Sequence, residues 1–166
     1  MRAMPNRWKP NVTVAAIIER DGRFLLVEED TADGLRLNNP AGHLDPGESP
    51  IEACVREVLE ETAHDFAPAA LVGVYLNRFT RTRTGHDITY LRFAFAGTVG
   101  THPEWRALDE GIVRTVWMTL DELHASAARH RSPLVLQCIQ DYLAGQRAPL
   151  ALIHTDASVL QATAAL

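Results

Sequence analysis

The sequence has few cysteines, no surplus of basic residues and no long apolar run. Cys54 and Cys138 are its two cysteines. They are too few for a disulfide framework or a zinc knuckle, and they fit a reducing cytoplasm. The apolar stretch Val12 to Ile18 is far too short to cross a bilayer. Flanked by Pro10-Asn11 and Glu19-Arg20-Asp21, it does not resemble a secretory leader either. A net charge of −5 argues against a general nucleic-acid binder, which carries a basic surplus. Repeats, low-complexity tracts and long linkers are also missing. The 166 residues are therefore expected to form one soluble domain, a monomer or a homodimer, with a core over about 8–152 and a loosely ordered tail over 153–166.

The elements follow from pattern. Val12 to Ile18 reads as a buried strand, and Asp21-Gly22 turns it into Phe24-Leu25-Leu26-Val27. Residues 30–39 read as polar and irregular, and Pro40 to Pro50 as loop. Ser49-Pro50-Ile51-Glu52 is a helix start with a capping box and proline at the first helical position, and the helix should run to about Thr62. Leu71–Leu76, Ile88–Ala96 and Ile112–Met118 read as strands, with Arg78 to His86 a hairpin loop. Helices are expected from Thr119 and over Pro133–Ala144, the latter closed by Gly145, with weak signals from 146 onward. The order implies an α+β fold, an α/β/α sandwich with a mixed sheet flanked by helices.

The chemistry concentrates in Arg56-Glu57-Val58-Leu59-Glu60-Glu61. At about 100° per residue, Glu57, Glu60 and Glu61 share one arc beside a buried side made of Ile51, Cys54, Val55, Val58 and Thr62. Glu57 and Glu61 repel each other one helical turn apart, and anions near a helix C-terminus oppose its dipole. Something should offset this arrangement, and a hard divalent cation with oxygen ligands is the natural candidate. A merely solvated acidic face is the plainer alternative. The segment 42–65 holds seven acids and one base, so the negative charge of the chain is concentrated there.

Gly42, five residues, Glu48, seven residues, Arg56-Glu57, then Glu60-Glu61 resembles the signature box of the Nudix hydrolases at every charged position and at its first glycine. Trp8-Lys9-Pro10, Pro40-Ala41-Gly42-His43-Leu44, Arg131-Ser132-Pro133-Leu134-Val135 and Ala144 to Leu150 further resemble the NudJ-type phosphatase branch of that family. Two positions depart from the box: Ala63 stands where the family has its second glycine, and His64 where it has an aliphatic residue. Either the helix continues past Ala63, or that residue takes a strained left-handed conformation.

The resemblance implies a metal-dependent hydrolase of small-molecule diphosphates, using Mg²⁺ or Mn²⁺. Carried over by position, Glu60 and Glu61 are metal ligands, Glu57 is a ligand or the general base, and the carbonyl of Ala41 is a further ligand. Gly42, Glu48 and Arg56 support the site, the last two as an ion pair. A later acid joins the site in many relatives; Asp109 and Glu110 are the candidates, with Glu110 preferred. Trp8, Lys9, Arg78 and Tyr90 are candidate substrate contacts. Arg78, Arg81 and Arg83 form one basic cluster, either a phosphate contact or, more simply, a solvated hairpin tip, and Trp8, Phe79 and Tyr90 are either stacking platforms for a base or core aromatics. His43 has no partner that makes it a ligand, and Cys54 reads as an inert core thiol.

The implied reaction is release of phosphate from nucleoside tri- and diphosphates and from hydroxymethylpyrimidine diphosphate. A housecleaning pyrophosphohydrolase, or a hydrolase of dinucleoside polyphosphates or nucleotide sugars, would use the same box. A nucleotide-sensing module is the non-enzymatic alternative, but such modules commonly lose box acids that are all present here.

Overall fold

Asp21 and Gly22 both adopt positive φ, 52° and 72°. That is the left-handed two-residue turn that matches strand twist, and it joins β1 (Asn11–Arg20) to β2 (Arg23–Thr31). The computed structural model describes residues 7–81, 83–102 and 104–161, so the outermost parts of the expected 1–166 domain lie outside the described residues. Next come β3 (Gly34–Asn38), β4 (Ala41–His43), α1 (Pro50–Thr62), β5 (His64–Thr80), β6 (Asp87–Thr101) and β7 (Ile112–Thr119). Two helices follow, α2 (Leu120–Ala125) and α3 (Leu134–Leu143), and then the one-turn α4 (Ala157–Leu160).

The strands form a mixed sheet in the order β3-β2-β1-β6-β5, with β4 added to β1 and β7 to β2. β1 is the hinge of this arrangement. It runs parallel to β6 from Asn11 to Ile18, antiparallel to β4 from Thr13 to Ala15, and antiparallel to β2 at Glu19 and Arg20. Helices cover both faces, which is why β1 reads as a continuous apolar run rather than an alternating one. On one face Val14, Ala16, Ile18 and Phe95 meet Ala53, Cys54 and Val58 of α1. On the other, Ile17, Val72, Ala94 and Ala96 meet Leu123 of α2 and Val135, Cys138 and Ile139 of α3. This is the α/β/α sandwich expected from the element order.

Several expectations need correction. β3 and β4 occupy ground read as irregular or loop, and β5 begins at His64 rather than Leu71. The early part of β5 was hidden because its register slips at Pro68/Ala70 and again at Leu71/Gly73, which breaks the two-residue period. After Gly145, Ala148 and Leu71 exchange backbone hydrogen bonds of 2.8 and 2.9 Å, and Leu150 and Ile153 pack against the core, so the docked chain reaches the edge of the expected 8–152 core. Among the described residues no helix is long and apolar enough to cross a membrane.

Candidate active site

The site begins with the cap of α1. Ser49 accepts from the Glu52 backbone while Glu52 accepts from that of Ser49, so the helix starts where the sequence signalled. Its far end is Ala63, left-handed at φ 55° and ψ 32°, with its N–H bonded to the Leu59 carbonyl. Of the two outcomes left open at Ala63, the strained cap is the one realised. The helix stops there and the chain turns directly into β5.

Arg56 is the hub of the box. It grips Glu48 with two bonds of 2.9 and 2.7 Å, donates to the His43 carbonyl at 3.0 Å, and reaches Glu57 at 2.8 Å and Glu60 at 3.0 Å. One guanidinium thus ties the loop after β4 to the helix and holds two box acids in place. Part of the charge repulsion on the helix is offset internally, before any cation is considered.

The helix wheel placed the acids beside the buried side, whereas Glu57 and Glu61 are themselves buried, 8% and 7% exposed. β4 covers them. Gly42 lies so close to the Glu57 carboxyl that a Cβ at position 42 would overlap it. Ala41 donates its N–H to Glu61 Oε2 at 2.9 Å. Burial pushes the Glu61 carboxyl up to about 8, against the Ala41 hydrogen bond and helped by Glu29, Glu57 and Asp109 nearby. Burial also raises Glu57, opposed by Arg56.

The loop before β7 completes the cluster. Asp109 donates its backbone N–H to the Glu60 carbonyl at 2.9 Å, using one of the carbonyls that a helix leaves unpaired in its last turn. This brings carboxylate oxygens of Glu57, Glu60 and Asp109 within 4.8 Å of one another. Three clustered oxygen donors suit a hard divalent cation.

Glu110 is not in that cluster. It lines a neighbouring cleft of about 1120 Å³, together with Glu61, Glu29, Arg36, Arg131, and Phe79, Arg81 and Arg83 of the β5–β6 hairpin. Arg78 points to a different partner, Asp87, at 2.6 Å. Tyr90 sits between His43 and Phe79, with ring centroids 5.9 and 5.7 Å away. Trp8 is 68% exposed before β1, and neither it nor the exposed Lys9 lines the cleft. Glu29 and Arg131 stand 3.7 Å apart at the cleft and were not site candidates: an acid in β2 carries no local signal, and Arg131 was read only as part of the Arg131–Val135 motif. Cys54 is buried, and burial raises its thiol, as expected for an inert core residue.

The structure thus sets a mixed sheet between helices, with a box of carboxylates gathered near the C-terminal end of one helix beside an open cleft. The model of the NUDIX domain matches residues 8–138. The chain belongs to the Nudix family and is a Nudix hydrolase acting on phosphorus-containing anhydrides. It is 37% identical over 147 residues to the protein named Phosphatase NudJ of Escherichia coli K12, covering 88% of this chain and 92% of that one. A solved Nudix hydrolase from Nitrosomonas europaea is 54% identical, with TM-score 0.80, covering 89% of this chain and 98% of the other. A MutT Nudix hydrolase from Burkholderia pseudomallei, 21% identical at TM-score 0.65 over 81% of this chain and 98% of its own, shares the fold.

Proposed function

We propose that this chain is a Mg²⁺-dependent phosphohydrolase that releases phosphate from nucleoside tri- and diphosphates and from hydroxymethylpyrimidine diphosphate. The observation that carries the reading is the convergence of Glu57, Glu60 and Asp109 oxygens beside a cleft large enough for a nucleotide. Similarity to a protein named as a phosphatase supports the phosphate-releasing reaction.

Glu57, Glu60 and Asp109 would hold Mg²⁺, or Mn²⁺ in its place, and the Ala41 carbonyl is a candidate further ligand. Such a cation, when bound, neutralises anhydride charge and lowers the pKa of water. Arg56 keeps Glu57 and Glu60 aimed, and Glu48 keeps Arg56 aimed. Water adds to one phosphorus, the bridging P–O bond breaks, and its electron pair leaves with the departing phosphate. A carboxylate takes the proton of the water. Glu61 lines the cleft and is held by the Ala41 N–H through Oε2, which leaves Oε1 as a base or a further ligand. Both cysteines are free and buried, which supports a cytoplasmic setting.

The test is a substrate panel with Mg²⁺ in which orthophosphate and pyrophosphate are assayed separately. Orthophosphate from nucleoside diphosphates and from hydroxymethylpyrimidine diphosphate is the expected result. Nucleoside monophosphate plus pyrophosphate from triphosphates would replace this reading with a pyrophosphohydrolase.

A further inference from the structure

Residues 78–86, the end of β5 and the loop into β6, carry three arginines, and the structure treats them differently. Asp87, at the start of β6, takes Arg78 at 2.6 Å and the Thr80 hydroxyl at 2.7 Å. Both carboxylate oxygens are thereby used on the strand stem. The tip is held by its own backbone: Arg81 donates to the His86 carbonyl at 2.9 Å, and Gly85, left-handed at φ 67°, returns a bond to the Arg81 carbonyl at 2.8 Å. Arg81 and Arg83 both line the cleft that contains Glu61. Among the described residues, neither guanidinium has a carboxylate or hydrogen-bond partner. The other two arginines of the cleft are engaged, Arg36 with the Ala128 carbonyl at 3.1 Å and Arg131 with Glu29 at 3.7 Å.

A turn that commits its acid to the stem, while Arg81 and Arg83 line the cleft without a partner among the described residues, has anion-binding capacity outside the acidic cluster. Phe79, 38% exposed, lines the same cleft and stands 5.7 Å from Tyr90, so a flat ring can rest beside the arginines. Arginine is the side chain best matched to a phosphate, through its planar fork of donors.

We infer that the β5–β6 hairpin is the specificity element of the cleft, with Arg81 and Arg83 binding a substrate phosphate beyond the anhydride that is cleaved, beside Phe79. The favoured substrate class is then a nucleoside triphosphate or longer polyphosphate over the matching diphosphate. The inference rests on the proposed phosphohydrolase reading, and it assigns the selection of phosphate number to a loop outside the box.

The experiment compares the full chain with the Arg81→Ala/Arg83→Ala double variant on one nucleoside as its tri- and diphosphate. The expected result is a rise of about tenfold in KM for the triphosphate, with kcat little changed and the diphosphate nearly unaffected. The Arg81→Lys/Arg83→Lys double variant should restore part of the loss. Equal loss on both substrates, or no loss on either, overturns the inference. Calorimetric binding of a non-hydrolysable imido triphosphate, read in parallel, separates the two layers. If the chain turns over neither nucleotide, the phosphohydrolase reading fails; weaker binding in the Ala variant would still support the hairpin, and unchanged binding would overturn it. Mn²⁺ affinity is expected to be the same in every variant, since none of them touches the carboxylate cluster.

Discussion

Gly42 and Glu57 share one space: the carboxyl of Glu57 occupies the volume that any side chain at position 42 would need. The missing Cβ on β4 is what lets a buried acid of α1 reach the cluster with Glu60 and Asp109. Gly42→Ala should displace Glu57 and lower kcat/KM by about 100-fold, the scale expected when a reacting group is misplaced by an ångström. Mn²⁺ affinity, read by electron paramagnetic resonance, should fall with it. Unchanged affinity in a folded variant would contradict the close-approach argument.

Asp109 and Glu110 are adjacent in sequence but stand in different places. Asp109 stands with Glu57 and Glu60, whereas Glu110 lines the cleft. Asp109→Asn is expected to weaken divalent-metal binding by about tenfold or more, and Glu110→Gln to leave it within a factor of about two. Calorimetric titration of Mn²⁺ into the two variants decides the matter, and the reverse ranking would move the later acid to Glu110.

Ala63 holds a left-handed conformation that glycine adopts without steric cost. Ala63→Gly should therefore raise unfolding stability by about 0.5–1 kcal/mol, or roughly 2–4 °C in melting temperature. Metal dependence should be intact, because the carboxylates are untouched. A lower melting temperature would mean that the alanine methyl contributes packing that outweighs the strain.

Glu28 is buried on β2 and clasped by Arg129 at 2.6 Å and Arg114 at 3.4 Å. The Arg129 hydrogen bond holds its carboxyl below the ordinary carboxylate range, in spite of burial and with added help from Arg114. Because the folded value is depressed, this stabilisation is present above the unfolded pKa of about 4.3 and disappears as the pH falls through the native value. Glu28→Gln should cost about 1–3 kcal/mol at neutral pH. It should also flatten the acid limb of stability against pH, read by chemical denaturation at pH 3 to 7 in small steps of about half a unit. A parallel downward shift with the same acid limb would exclude linkage through Glu28.

Local chemistry made α1 legible. The Ser49–Glu52 capping box and Pro50 set its start, and the charge spacing from Gly42 to Glu61 announced the site. The Asp21-Gly22 turn was equally plain. β3 and β4 were not, because short strands with polar or glycine residues gain their definition from partners: β3 from Glu28–Thr31 and neighbouring Val27, β4 from Thr13–Ala15. Arg78 and Arg81 look alike in the sequence. Only the pairing of Thr80 with Asp87 shows which one is consumed by the stem.

The sequence alone determined the box, the helix that carries it and the α+β order, because capping, spacing and charge are properties of neighbouring residues. Tertiary structure decided which acids meet. Glu57 and Glu61 are buried because β4 folds over the helix, and Asp109 joins because its N–H finds the Glu60 carbonyl across 49 positions of chain. Long-range contacts of this kind depend on closing loops and pairing strands, so no local pattern encodes them. The scarcity of basic charge follows the same division: the concentration of acid in segment 42–65 was visible in the sequence, but its placement beside a cleft that Arg36, Arg81, Arg83 and Arg131 also line is a consequence of the fold.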